Sequence, residues 1–227
     1  MKSALILLHG AIGAASQLNP LKDVLSDTFE VYSFNFEGHG GSPSEHPFSI
    51  ELFTENLHTF IQEHKIHFPL ILGYSMGGYV AINYAKQYPV QKIMTFGTKF
   101  NWSPEVAQQE VKMLNPEIIE EKVPKFAQFQ SQLHAPSDWK ELMQKTASMM
   151  LLLGESPVHT PERMSTITTP ILCTVGTADK MVSIDETQWA VEALPNAQLH
   201  LFSEFDHPIE KVNLEKFVPI AVRFFLA

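Results

Sequence analysis

Leu70-Ile71-Leu72-Gly73-Tyr74-Ser75-Met76-Gly77-Gly78-Tyr79-Val80 reads as a buried strand, a sharp turn and the start of a helix. The run Leu70–Leu72 is continuously apolar, as expected of a strand covered on both faces. Gly73 and Gly77 bracket Ser75 in a Gly-x-Ser-x-Gly spacing. Lacking side chains, they let strand and helix pass closely enough for a tight turn. Such a turn lifts the serine oxygen clear of its own backbone and sets it at a helix N-terminus. Free N–H groups and the positive dipole end there favour a developing oxyanion. Ser75 is therefore the candidate nucleophile. The bland alternative is a glycine-rich turn with an incidental serine. It is weakened by the strand and helix patterns that flank the motif on the required sides.

Outward from this turn, short apolar runs alternate with helical patterns. Ala4–Leu8, 30–35, Leu70–Tyr74, Lys92–Phe96, 171–175 and 198–202 are the expected strands. Residues 18–25, 50–64, 76–87, 185–194 and 208–225 carry the apolar spacing of helices. Strand and helix in alternation imply an α/β fold, a doubly wound and mainly parallel six-stranded sheet with helices on both faces. One stretch breaks the alternation. From 101 to 169 no strand candidate interrupts a series of short helical patterns cut by Pro104, Pro116, Pro124, Pro136, Pro157 and Pro161. Residues 1–100 and 170–227 would form the core. Residues 101–169 would be a helical lid emerging from the edge where α/β sheets bind ligands; the alternative is a plain extra bundle.

With these segments in place, the chain resembles the α/β-hydrolase superfamily along its whole length, in its serine-nucleophile branch of small carboxylesterase-like members. His9-Gly10-Ala11-Ile12-Gly13 follows the first strand, and Gly38-His39-Gly40-Gly41-Ser42 follows the second. Gly176-Thr177-Ala178-Asp179 follows the fifth strand, and Phe205-Asp206-His207-Pro208 the last. The resemblance implies the sheet order 2-1-3-4-5-6 and a triad in the chain order Ser75, Asp179, His207. On that pattern the backbone N–H groups of Ala11 and Met76 would form the oxyanion hole. The sequence departs from the family at two positions. Asn35 stands where Asp often precedes the Gly-x-Gly turn, and Asp206 replaces the glycine before the histidine.

The roles follow from proton chemistry. His207 would take the proton of Ser75 and return it to the leaving group, while Asp179 would hold the imidazole tautomer. Asp179 competes with a simple capping role, and Asp185 and Glu186 fall at a helix start. His207 competes with nine other histidines. His46, His58, His64 and His67 fall on expected surface positions, and His200 lies within a strand. His9 is expected to bond backbone near the oxyanion loop, and His39 to be a turn residue, with a place on the pocket border as the alternative. Tyr74 and the lid side chains Phe126, Phe129 and Trp139 are candidates for an apolar acyl pocket. The competing reading for the lid residues is a small core of their own.

A serine nucleophile excludes those relatives that need a carboxylate to form an alkyl-enzyme ester. Cleavage of a small to medium carboxylic ester or thioester is thus the leading expectation. Carbon–carbon bond cleavage with the same triad is the first rival, and a receptor-like binding role the second. Anionic substrates would call for arginine near the turn, yet Arg163 and Arg223 are the only arginines and belong to no motif. No cofactor or metal is expected: there is no His-Glu-x-x-His and one cysteine only. Cys173 sits in an apolar strand run and reads as a core thiol.

The 227 residues carry a net charge of −9 and 44% hydrophobic residues. That size buries a substantial core, and the acidic balance argues against nucleic acid and membrane surfaces as partners. A small-molecule ester is the expected partner, with the chain a monomer or homodimer. The basic-then-apolar start is too short for a typical signal peptide and no run is long enough to span a membrane, so a cytoplasmic location is the expectation.

Overall fold

The structure, a computed structural model, describes residues 2–227. Six strands form one parallel sheet: β1 (Ala4–Leu8), β2 (Glu30–Ser33), β3 (Leu70–Tyr74), β4 (Lys92–Phe96), β5 (Ile171–Gly176) and β6 (Ala197–Phe202). Their spatial order is β2-β1-β3-β4-β5-β6, the order expected from the resemblance. In the register, Leu8 lies opposite Gly73 and Gly73 opposite Thr95. The ends of β1 and β3 therefore lie side by side where the winding reverses, the position at which such sheets open a crevice.

Alternation along the strands divides the core in two. Leu5, Leu7, Leu70, Leu72, Met94 and Phe96 face one layer, packed with helices α1 (Asn19–Leu25) and, near the C-terminus, Leu214–Leu226. Ile6, Leu8, Ile71, Ile93 and Cys173 face the other, with α2 (Ile50–Glu63), α3 (Met76–Ala85) and Ile184–Ala193. Cys173 is fully buried, and burial pushes its thiol up to about 12, which makes it inert.

Between β4 and β5 run α4 (Pro104–Val111), α5 (Pro116–Lys122), α6 (Pro124–Leu133), α7 (Trp139–Glu155) and α8 (Pro161–Met164). Four of these begin on proline, where the missing N–H costs nothing because the first turn has no partner for it. Ser103, Asn115 and Thr160 cap α4, α5 and α8 by accepting from the backbone N–H groups of Val106, Ile118 and Arg163. The remaining helices are α9 (Ile184–Ala193) and α10 (Leu214–Leu226). Among the described residues, no helix is long and apolar enough to cross a membrane.

Boundaries differ from the sequence-based expectation by a residue or two at several elements, and three differences lie next to the loops of the site. β2 ends at Ser33, because Asn35 leaves the ladder: its Oδ1 accepts from Ala15 N at 2.8 Å and its Nδ2 donates to Gly40 O at 3.2 Å. The amide thus braces the turn that carries Gly40. The first helix opens with a 3-10 turn at Ala15–Leu18 before α1. The last is split as well. Ile209–Lys211 is a separate 3-10 turn, and α10 starts afresh where Asn213 Oδ1 accepts from Lys216 N.

Candidate active site

Ser75 lies between β3 and α3 at φ 50° and ψ −118°. A non-glycine residue there stores about 1–3 kcal/mol of strain and persists only where its surroundings enforce it. They do. Ser75 N donates to Phe96 O at 2.8 Å, while Ser75 O accepts from Gly78 N and from Thr98 Oγ1, each at 3.0 Å. A Cβ at Gly77 would lie 2.5 Å from Leu8 O and 2.7 Å from His9 O, so α3 touches the end of β1 backbone to backbone. A Cβ at Gly73 would come within 2.4 Å of Gly78 N. Gly77→Ala is therefore expected to cost about 2–3 kcal/mol of stability, measured by urea unfolding, since no flexible side chain is there to yield. A change below 0.5 kcal/mol, roughly the effect of an ordinary surface substitution, would contradict this packing.

Asp179 follows β5 and His207 follows β6. His207 Nδ1 lies 2.8 Å from Asp179 Oδ2, and the Asp179 side chain is fully buried. Asp179 Oδ1 accepts from Met181 N at 2.8 Å and Val182 N at 2.9 Å. Burial pushes this carboxyl up, but the bonds from His207, Val182 and Met181 outweigh it and hold the group below its usual value. An ionised Asp179 keeps the proton on Nδ1 and turns Nε2 into an acceptor. Ser75 and His207 both line one cavity of about 400 Å³. No hydrogen bond joins their side chains in this structure, a looseness common before substrate binds.

Ala11 and Met76 line the same cavity. Neither backbone N–H donates to another group among the described residues, and Met76 directly follows Ser75 at the start of α3. The wall is largely apolar and rich in methionine: Met76, Met113, Met149, Met150 and Met181 all contribute. Tyr74, Phe126 and Phe129 line it as the sequence suggested. Trp139 does not. It opens α7 and is buried against Leu114, Ile119, Ala127 and Met143, in a small core among the helices themselves. The aromatic wall that sequence reasoning missed is Trp102, just before α4. Lys99 and Glu110 also border the cavity, paired with each other at 3.1 Å, and Glu210 is hydrogen-bonded by Gln17. No arginine is among the lining residues.

The histidines sort differently from expectation at two positions. His58, expected at the surface, is instead half-buried with its ring stacked on Tyr88. His39 is fully buried and stacked on Phe48, so it packs beneath the turn instead of bordering the pocket. His9 bonds backbone, as expected: it accepts from Phe36 N and contacts Gly10 O at 2.8 Å. Burial lowers His9 to about 4 and His159 to about 3. Unfolded, each would titrate near 6.5. Folded-state values below that mean the unfolded chain takes up protons that the native chain refuses. Stability is therefore complete above about pH 6.5 and falls toward pH 4 by about 1.4 kcal/mol per pH unit for each such ring. Unfolding free energies at pH 7 and pH 5 should differ accordingly; equal values would contradict buried, neutral rings.

A family model described as serine aminopeptidase, S33 (Hydrolase_4), matches residues 1–211. Among solved structures, the enol-lactonase from Burkholderia xenovorans LB400 superposes with a TM-score of 0.81 at 17% identity, covering 100% of this chain and 92% of that one. An esterase from Exiguobacterium antarcticum gives 0.78 at 18% identity, covering 100% and 94%. Curated relatives match only locally. A probable alcohol acetyltransferase of Wickerhamomyces anomalus is 31% identical over 87 residues, 37% of this chain and 26% of its own length. The ethanol acetyltransferase 1 of Hanseniaspora uvarum is 26% identical over 84 residues, 36% of this chain and 25% of its own. The match thus spans about a quarter of the length of these curated relatives.

Proposed function

We propose that this chain, which belongs to the α/β-hydrolase family Hydrolase_4 (serine aminopeptidase, S33), cleaves small to medium carboxylic esters through an acyl-enzyme on Ser75. The observation that carries the proposal is Ser75, strained at a helix N-terminus, sharing one cavity with a His207 whose Nδ1 is held by Asp179.

His207 Nε2 takes the Ser75 proton as Oγ attacks the ester carbonyl. The oxygen gains charge and is met by the N–H groups of Ala11 and Met76; losing one such donor typically costs about 10²–10³ in rate. His207 returns the proton to the leaving alkoxide, and the acyl group stays on Oγ. Water then repeats the sequence, with His207 as its base, and releases the acid. Throughout, Asp179 stabilises the imidazolium without taking the proton.

The lining favours a neutral ester. A peptide backbone among Met113, Met149, Met150, Phe126 and Phe129 would leave amides unpaired. Lys99 is occupied by Glu110 and the Met181 carbonyl, and with no arginine at the wall a carboxylate-bearing substrate has no free cation to meet. Flexible methionines adapt to more than one acyl shape. The helices α4–α8 act as the lid over the acyl group.

A panel of p-nitrophenyl esters tests the reading. Acetyl to octanoyl esters should turn over, and a hemisuccinate ester should react about tenfold slower or worse, since Glu210 repels it and no free cation at the wall offsets that charge. No Ser75-dependent turnover anywhere in the panel would sink the proposal. A second reading, acyl transfer to an alcohol in place of water, has the local likeness to alcohol acetyltransferases behind it. Added ethanol would then divert product from acid to ethyl ester; unchanged acid yield would dismiss it.

A further inference from the structure

The turn bearing Ala11 is strained, and a side chain from the helices above it holds it in place. Gly13 N donates to Gly10 O at 3.2 Å and closes a four-residue turn with Ala11 and Ile12 at its centre. Ile12 takes φ 53°, a left-handed conformation that a β-branched residue rarely adopts. Glycine is the usual occupant of such a turn position. With isoleucine there, the turn needs outside support.

Two buried histidines supply it. Phe36 N donates to His9 Nε2 at 3.2 Å, so the proton of His9 sits on Nδ1 and is donated to Gly10 O at 2.8 Å. Because the peptide is planar and trans, pinning Gly10 O points the Ala11 N–H the opposite way. The second ring, His134, comes from the C-terminal end of α6 and is fully buried. Gly40 N donates to its Nδ1 at 2.9 Å, which leaves the proton on Nε2. That N–H is shared between Ile12 O at 3.1 Å and Gln130 Oε1 at 3.0 Å. Two further bonds stitch the same helices to the neighbouring loop: Ser137 Oγ to Ser42 O at 3.1 Å, and Lys145 Nζ to Ser44 O at 3.2 Å.

We propose that His134 is a positioning residue for the oxyanion donor: it grips the Ile12 carbonyl from the helical cover and keeps the Ala11 N–H aimed at the acyl oxygen. The inference rests on the esterase reading above. His134 touches neither substrate nor the reacting atoms. Its consequence is a coupling between cover and chemistry. The donor pair is complete only while α6 is seated, so a displaced cover leaves Ile12 free to relax and the hole half-formed.

Two substitutions separate the ring's two bonds. His134→Asn keeps an acceptor for Gly40 N, but its short amide does not reach Ile12 O. His134→Gln extends an N–H to the place of Nε2. In His134→Asn, kcat for a p-nitrophenyl ester should fall about 10- to 100-fold, the cost of a misaimed donor, with KM within about threefold. His134→Gln should recover most of that loss. A trifluoromethyl ketone, whose hemiketal oxyanion forms in the same hole, should lose affinity by the factor lost in kcat/KM. An unchanged kcat in His134→Asn, a loss confined to KM, or unmoved ketone affinity would each overturn the inference.

If His134→Asn does not fold, the same two ratios are read on Ser137→Ala with Lys145→Met, which loosens the cover and leaves the ring intact. A parallel fall of kcat/KM and ketone affinity supports the coupling; no change in either overturns it. If Ser75 of the unaltered chain takes no fluorophosphonate, the esterase reading falls. If Ser75 is labelled and the ratios stay flat, only the role of His134 falls.

Discussion

Ser75→Ala is expected to lower kcat for ester hydrolysis by about 10⁴–10⁶, with the fold and KM little changed. On the proposed mechanism the alanine removes the only atom that bonds to the acyl group. The strained backbone that presents it is held by Phe96 O, Gly78 N and Thr98 Oγ1, none of which touches the lost oxygen. Residual catalysis would come from the amides of Ala11 and Met76 acting on a bound ester attacked directly by water. His207→Ala should cost about as much, because nucleophile and base act as one unit, and the double variant should be scarcely worse than either. Steady-state kinetics on a p-nitrophenyl ester measures both effects. Additive losses, or a Ser75→Ala variant within tenfold of the unaltered rate, would contradict a shared step.

Asp179→Asn is expected to lower kcat by about 10⁴ while leaving substrate binding nearly intact. An amide can still accept from Met181 N and Val182 N through its oxygen, so the loop after β5 should keep its shape. Its NH₂ group would then face His207 Nδ1 across the 2.8 Å contact and demand a lone pair there. The ring would answer by moving its proton to Nε2, where it could no longer accept from Ser75. The carboxylate's counter-charge to the imidazolium is lost as well. Asp179→Glu separates the two contributions, since it keeps the charge and disturbs only distance; it should retain more activity than Asp179→Asn. The reverse ranking would mean that loop shape, and not proton placement, is what Asp179 supplies.

Much of this arrangement was legible in the sequence because its determinants are local. Glycine at 73 is required by contacts inside one strand–turn–helix unit and glycine at 77 by the adjoining end of β1, so the spacing itself carries the geometry of the turn. Parallel strands deliver their carboxyl ends to one edge, and Ser75, Asp179 and His207 each stand just beyond a strand. Sheet order brings those edges together without further information. The wall of the cavity is another matter. Periodicity marks a helix face as buried and is silent on what covers it. Trp139 and Trp102 are both large aromatics near helix starts, yet one packs among α5, α6 and α7 while the other lines the cavity that holds Ser75. Only the mutual packing of the helices after β4 decides between them. His134 escaped for the same reason, since its partners Ile12 and Gly40 lie 122 and 94 residues away. Asn35 is a milder case: amide and carboxylate accept the same N–H from Ala15, and the amide adds a donor for Gly40 O.

The strain at Ser75, the buried Asp179–His207 pair and the two free amides have a common purpose only if Ser75 Oγ is an activated nucleophile. A fluorophosphonate reports that state directly, because it phosphonylates an activated serine and spares ordinary hydroxyls. After treatment of the unaltered chain, peptide mass spectrometry should find one adduct, on the peptide containing Ser75, and none in Asp179→Asn at the same exposure. Labelling at another residue, or none at all, would contradict the account.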